Sequence, residues 1–191
     1  MKRPFAILLA AGILVGCAPN AAPRLMADEP APEIVGFPDD PQALEAFVAA
    51  VAARSDVPIP ERVVSRSTQG GALYPRLTLL YMSAQDWCGS GGCTLFVLVP
   101  GDGGLVEIGR ITLVRPPVLV LDTQTNGMPD IVVRVRDDYY PGECEKFVVL
   151  PFDGHAYASN PTMPPARLVS GSLIDGEIAI PEGDAVSTLR R

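Results

Sequence analysis

The chain has 191 residues, 48% of them hydrophobic, and its 15 basic and 22 acidic side chains give a formal net charge of −7. This length suffices for one domain with a buried core after removal of a targeting segment. The composition argues against a nucleic-acid partner, because no basic stripe is present to neutralise phosphates, and an anionic membrane surface would repel so acidic a domain.

Residues 1–16 have the form of a secretion signal. Lys2 and Arg3 supply a short positive region, and Phe5–Val15 is an uninterrupted apolar run. That run is too short to span a hydrocarbon layer, which takes about 20 residues as a helix. The sequence therefore predicts export of the chain and removal of these sixteen residues.

The signal ends in Leu14–Cys17, which reads Leu-Val-Gly-Cys and resembles the lipobox of bacterial lipoproteins. The resemblance implies cleavage just before Cys17 and acylation of its thiol, with fatty acids such as palmitate forming the membrane anchor. Residue 18 is Ala, whereas an Asp there commonly retains lipoproteins of enteric bacteria in the inner membrane. We therefore expect the outer membrane, facing the periplasm.

A Pro/Ala-rich tether and a helix are predicted to follow the lipidated cysteine. Five prolines in residues 17–40 interrupt any helix or strand ladder. Asp40 is suited to cap a helix and Pro41 to open its first turn. The helix should end near Arg54. Its apolar face is formed by Leu44, Phe47, Val48 and Val51.

Residues 41–191 are predicted to form a single α+β domain, a mostly antiparallel β-sheet with one N-terminal helix. From residue 73 onward, short segments rich in Val, Leu, Ile and Phe are separated by Gly, Pro, Asp or Asn, which is typical of strands in hairpin succession. Turns are predicted at 100–104 and 152–155. The predicted strands are Arg76–Met82, Thr94–Val99, Leu105–Val114, Val118–Leu121, Asp130–Arg136 and Lys146–Pro151.

A disulfide is predicted between Cys88 and Cys93, which leaves Cys144 as the free thiol. An exported chain occupies an oxidising compartment, and the glycines between these two cysteines let the backbone fold back far enough for a bridge. The same loop lacks the Lys and the following helix of a phosphate-binding loop. Its cysteine spacing also differs from the Cys-x-x-Cys of zinc and redox sites.

No catalytic residue is assigned. His155 is the only histidine, so any Ser-His-Asp or Cys-His arrangement would need it, with Cys144 as its possible unpaired thiol partner. Its position in a predicted turn favours a solvated side chain. No cofactor is expected.

Residues 121–131 resemble a degenerate calcium-binding loop of the FG-GAP/VCBS-type repeats of extracellular proteins. Asp122, Asn126 and Asp130 match the ligand positions of those loops, whereas Gln124 replaces a usual Asn or Asp. Calcium is coordinated by about six to eight oxygens, and the two carboxylates of this segment supply too few of them. The competing interpretation is a tight turn, with Gly127 at positive φ, that leads into a strand.

A broader resemblance covers residues 86–166, which are similar to a family of small exported proteobacterial proteins of unknown function. It implies a domain type and no activity. In that family the position of Cys144 is usually not Cys, in agreement with an unpaired thiol. The motifs that carry the resemblance are Asp86–Gly89, Gly92–Leu95, Arg115–Val118, Thr125–Gly127 and Phe152–Gly154, followed by Tyr157, Asn160–Pro161 and Pro164–Ala166.

A candidate interaction loop connects the last two predicted strands. It contains Asp137, Asp138, Tyr139 and Tyr140, and tyrosine is enriched at binding surfaces. Alternatively, one tyrosine packs over the sheet edge and the acids stay solvated. The predicted function is a non-catalytic envelope lipoprotein that presents its domain to a protein or cell-wall partner. A carboxylate-based enzyme acting on envelope material and a small-ligand or calcium-binding module are the alternatives.

Overall fold

A computed structural model describes residues 33–136, 146–169 and 176–182 of the chain. Its elements confirm the α+β class, with one helix and mostly antiparallel strands. They are β1 (Glu33–Phe37), α1 (Pro41–Ser55), β2 (Arg62–Gln69), β3 (Arg76–Met82), β4 (Cys88–Gly89), β5 (Gly92–Gly101), β6 (Gly104–Thr125), β7 (Met128–Val135), β8 (Lys146–Leu150), β9 (Arg167–Leu168) and β10 (Gly176–Ile180).

The strands run in the order β1-β2-β3-β5-β6-β7-β8-β9, and the long strand β6 is shared by two sheets. Its first part pairs with β5 and its second part with β7 and β10. Between these parts Leu113 has a φ of 61°, and the register with β7 shifts between Arg115 and Val118. The two segments predicted as separate strands are therefore one strand, bent where Pro116 and Pro117 have no N–H for the ladder.

The first sheet is buried on both faces, which produces three layers. Leu77, Leu79 and Tyr81 of β3 face the second sheet and pack with its strands β7 and β8. Leu80 and Met82 point the opposite way, into a cluster formed with the helix. The predicted apolar face of α1 is confirmed, since all four of its residues are buried. The layers are thus α1, the first sheet and the second sheet.

The start of α1 follows from its first residues. The Asp40 side chain accepts a hydrogen bond from the backbone N–H of Ala43 at 2.9 Å, and proline opens the helix. The helix ends at Ser55, and Asp56 then adopts a left-handed conformation with φ 54°. Strand β1 falls within residues 17–40, which were assigned to the tether, and it pairs in parallel with β2.

The two sheets are joined along both sides. On one side, β10 approaches β2 through contacts made by Glu177. On the other side, the N–H of Tyr157 donates to Ile108 O and that of Thr112 to Ser159 O, both at 2.9 Å. The first part of β6 pairs with β5 along one edge. The residues that follow β8 cover its other edge through these two hydrogen bonds.

Both predicted turns are confirmed. Gly101 pairs with Gly104 across the β5–β6 hairpin, so that Asp102 and Gly103 form its tip. In the second turn, Phe152 forms a bridge with Tyr157.

Candidate binding groove

A groove runs along one flank of α1, where the helix leaves part of the first sheet uncovered. On this face of the sheet, Phe96 and Leu98 of β5 are buried under the helix. Their partners on β6 are Arg110 and Glu107, which are only half-buried. The hollow between the helix and the β5–β6 hairpin has a volume of about 720 Å³.

We call this hollow the α1/β6 groove. Its lining is mixed, with alanines from the helix and Leu105 from the hairpin beside polar residues such as Gln42 and Glu107. Val106 pairs with Val99, whose side chain faces away from the helix, so Val106 borders the groove through its backbone. The apolar side chains of the lining are those of Ala43, Ala46, Phe47, Ala50 and Leu105.

Charged side chains mark the rim of the groove. Asp40 lies beside the start of the helix and Glu107 on the strand, while Arg54 stands in the last turn of the helix. Glu107 accepts two hydrogen bonds from Arg110, at 3.0 and 2.9 Å. The Arg110 guanidinium in turn lies 4.9 Å from the centre of the Phe96 ring. The rim therefore carries charges of both signs, and one of its carboxylates, that of Glu107, is paired with Arg110.

A smaller hollow of about 330 Å³ continues the groove past the helix N-terminus and shares Asp40, Ala43 and Leu105 with it. Its wall is an ion pair in which Arg76 donates two hydrogen bonds of 2.7 Å to Asp39. The N–H of Asp39 donates to Ser67 Oγ at 2.9 Å. These contacts fix the position of Asp39, just before α1, and so define the opening of the groove at this end.

The Cys88–Cys93 disulfide is confirmed, and the two residues face each other in the short β4–β5 hairpin. The loop between them is held by arginines. Arg115 donates to the carbonyls of Gly91 and Ser90, and Arg136 also donates to that of Ser90, all at 3.3 Å. Cys17, Cys144 and the Asp137, Asp138, Tyr139, Tyr140 loop lie outside the described residues.

Residues 121–131, which resemble a degenerate calcium-binding loop, contain the tight turn that was the alternative prediction for this segment. Asn126 and Gly127 have φ angles of 51° and 80° between β6 and β7. Asn126 donates through Nδ2 to Phe152 O at 2.8 Å. Asp130 is buried and accepts from Thr123 Oγ1 at 2.9 Å, whereas Asp122 is exposed. Among the described residues, no three His, Cys, Asp or Glu side chains cluster to hold a metal.

His155 is exposed in its turn, where its backbone N–H donates to Asp153 Oδ1 at 2.7 Å. The N–H of Ala156 donates to the same oxygen, and these two hydrogen bonds, that from Ala156 first, lower the pKa of Asp153. The carboxylate thus stabilises the turn.

Sequence reasoning missed the groove, although a signal for it was present. Ala43, Ala46 and Ala50 recur at i, i+3 and i+7, beside the larger apolar face of the helix. A row of alanines on a helix indicates where another segment of the chain or a ligand could approach the helix closely. It does not show that the β5–β6 hairpin forms the opposite wall, because this depends on tertiary packing.

No family model matches the chain, and neither the curated proteins nor the solved structures contain a match. In the part of the chain that the structure describes, no helix combines the length and apolarity needed to cross a bilayer.

Proposed function

We propose that this chain is a lipid-anchored, non-catalytic protein of the bacterial envelope that binds a protein or cell-wall partner through the α1/β6 groove. The observation that carries the proposal is the groove itself, an open hollow in which alanines and Leu105 lie beside charged side chains. Exposed apolar surface framed by polar residues is typical of interaction sites. The lipobox-like Leu14–Cys17 supports the anchor and the envelope location.

The carboxylates near the groove favour binding over catalysis. Asp40 caps the helix, Glu107 is held by Arg110, and Asp39 is held by Arg76. A carboxylate enzyme needs two acids that face a shared reacting atom, with one of them able to carry a proton. Each of these three acids instead makes a contact that stabilises the fold around the groove.

The charge of the chain indicates what kind of partner would approach. Its formal net charge is −7, to which Asp40 beside the groove contributes, so a basic partner would be attracted before contact. Such charges speed the encounter and orient the partner more than they add affinity. Affinity would come from apolar side chains that replace water between Ala46, Ala50 and Leu105.

Blocking the groove tests this proposal. Ala46→Arg places a long cationic side chain at the groove wall, whereas Ala49→Arg places the same group on the helix outside the groove lining. We expect Ala46→Arg to abolish recovery of a partner from crosslinked envelopes, and Ala49→Arg to leave it at the wild-type level. Thermal unfolding of both variants verifies that the domain is intact. Equal recovery with the two variants would contradict the proposal.

A further inference from the structure

The outer face of the second sheet, which points away from the first sheet, carries a row of apolar side chains. The row crosses β10, β6, β7 and β8, and its paired residues are Ile178, Leu119, Val132 and Val149. A sheet face that is exposed to solvent normally carries polar residues at such positions. The row therefore indicates that this face is covered.

Two residues of this row are buried, although the described helix and strands place no layer on the outer face. Val132 is 0% and Leu119 is 7% exposed. Neither belongs to the apolar clusters between the two sheets or under α1. Asp130, two positions before Val132 and therefore on the same face, is buried as well. A segment beyond the described residues therefore lies over the middle of this face.

The chain itself has to cross the second sheet between β9 and β10. These two strands form its opposite edges, because the order is β10-β6-β7-β8-β9. Four steps of about 4.8 Å separate the edges, or about 19 Å. Val169 lies two residues beyond the level of the apolar row and Gly176 two residues before it, which raises the direct distance to about 23 Å in a flat sheet.

Only the outer face is open to this connection. The steps from Val169 to Gly176 reach about 23–25 Å when the chain is extended, so the path has to be nearly straight. A path around either end of the sheet is longer, because it passes the ends of β6, β7 and β8 before it returns. On the inner face, the paired residues of the next row are fully buried against the first sheet; they are Val118, Val133 and Val148.

We propose that residues 170–175, which lie outside the described residues, cross the outer face of the second sheet and bind to its apolar row. The segment reads Ser-Gly-Ser-Leu-Ile-Asp. Its small residues lie over β8, and Leu173 and Ile174 lie over β7 and β6, where Val132 and Leu119 are buried. The row is thus occupied by a segment of its own chain. This contact does not depend on the function proposed for the α1/β6 groove.

Cysteine crosslinking in the full-length chain tests the crossing. In a Cys144→Ala background, Val132→Cys is combined with Leu173→Cys and, in a second protein, with Ile174→Cys, since adjacent residues of an extended segment point to opposite sides. The matched controls combine the same two substitutions with Ala50→Cys, which is exposed on α1 and separated from the outer face by both sheets. After oxidation with diamide, peptide mapping without reductant measures each disulfide.

We expect position 132 to crosslink to position 173 or 174 at least about tenfold faster than position 50 does, because contact raises the local thiol concentration. Equal rates at positions 132 and 50 would overturn the inference. So would a crosslink of position 132 to Val186→Cys in place of positions 173 and 174, since it would show that the C-terminal residues cover this face.

Maleimide labelling of Val132→Cys gives a second measurement that requires no crosslink. Adding Leu173→Ser and Ile174→Ser should raise the labelling rate at position 132 about tenfold, because the apolar contact that excludes water is weakened. Val133→Cys, which faces the first sheet, should remain unlabelled in the same background and so verifies that the sheet is intact. An unchanged labelling rate at position 132 would contradict the crossing.

Discussion

Glu177 makes the contact that joins β10 to β2. Its Oε1 accepts from Arg66 Nη2 at 2.8 Å and its Oε2 from Thr68 Oγ1 at 2.6 Å. The hydrogen bond from Thr68, followed by the contacts with Arg66, lowers the pKa of Glu177 below its usual value. The charged carboxylate is thus favoured in the folded state, and its contribution to stability is present above the unfolded pKa and lost as the pH falls.

We expect Glu177→Gln to lower the free energy of unfolding at neutral pH by about 0.5–1 kcal/mol, a small value because this ion pair is partly exposed. It should also reduce the loss of stability as the pH falls below about 4.5, where the unfolded carboxyl takes up its proton. Urea unfolding across this range measures both effects. Glu61→Gln in an exposed loop is the control, and identical pH dependence in the two variants would contradict the assignment.

Two buried tyrosines are expected to lower the stability of the fold at high pH, whereas Glu177 lowers it at low pH. Burial raises the pKa of Tyr81 to about 12 and raises that of Tyr157 further, with nearby Asp130 adding to the latter. The neutral phenols are favoured in the folded state, so stability should fall as the pH rises above about 10, where unfolded tyrosines ionise. Tyr157 also donates to Pro129 O at 2.7 Å.

Tyr157→Phe should therefore lessen the alkaline loss of stability and cost about 1 kcal/mol at neutral pH, since Pro129 O loses its partner. Unfolding measured from neutral pH to above pH 10 distinguishes this variant from Tyr74→Phe, whose ring is only half-buried. The account fails if both variants lose stability in parallel.

At the residue scale, the sequence was sufficient to predict contacts between residues that are close together along the chain. The disulfide joins residues five positions apart, so their spacing, together with the predicted export of the chain, sufficed to predict it. Glu177 and Thr68 are 109 residues apart, and neither belongs to a recognisable motif. Their contact depends on which sheet edges meet, and no local pattern of residues carries that information.

At the scale of elements, α1 was predictable because its cap, its proline and its apolar period agree. Strand β3 is continuously apolar and has the predicted bounds. Strand β2 was missed because its buried face carries Ser65, whose hydroxyl donates to Leu79 O at 2.9 Å. A serine satisfied by tertiary contact breaks the alternation that identifies a strand.

The cap of α1 should matter for stability and for the groove. Asp40→Ala removes the acceptor of the Ala43 N–H and should cost about 1 kcal/mol of folding free energy. Asp40→Ser keeps a capping oxygen and should retain most of that stability. Chemical unfolding of the two variants provides the comparison, and a serine variant as unstable as the alanine variant would show that Asp40 acts in another way.

At the scale of the whole molecule, the fold class was predictable, whereas the arrangement of layers was not. Turn residues and apolar runs indicate antiparallel strands, but the division of β6 between two sheets follows from its irregular stretch between Leu113 and Val118, which contains Pro116 and Pro117. The groove is a consequence of this arrangement. It lies between α1 and the start of β6, where Glu107 and Arg110 stay half-buried beside Leu98 and Phe96.

At the scale of the whole molecule, the proposed lipid anchor on Cys17 can be tested by mutation. Cys17→Ala should leave the protein unprocessed or fully soluble, because no other thiol stands at the cleavage site. Fractionation of envelopes and electrophoretic mobility report the two outcomes, and Cys144→Ala should remain processed and membrane-bound. A Cys17→Ala protein that fractionates as the mature, membrane-bound form would contradict the anchor.

The most direct test of the central claim is the mass of the N-terminal tryptic peptide of the protein extracted from envelopes. The lipobox-like ending predicts a peptide that covers residues 17–24, begins at Cys17 and carries a diacylglyceryl group on its thiol. The same peptide with an unmodified thiol, or a mature chain that begins at another residue, would contradict the account of an anchored envelope protein.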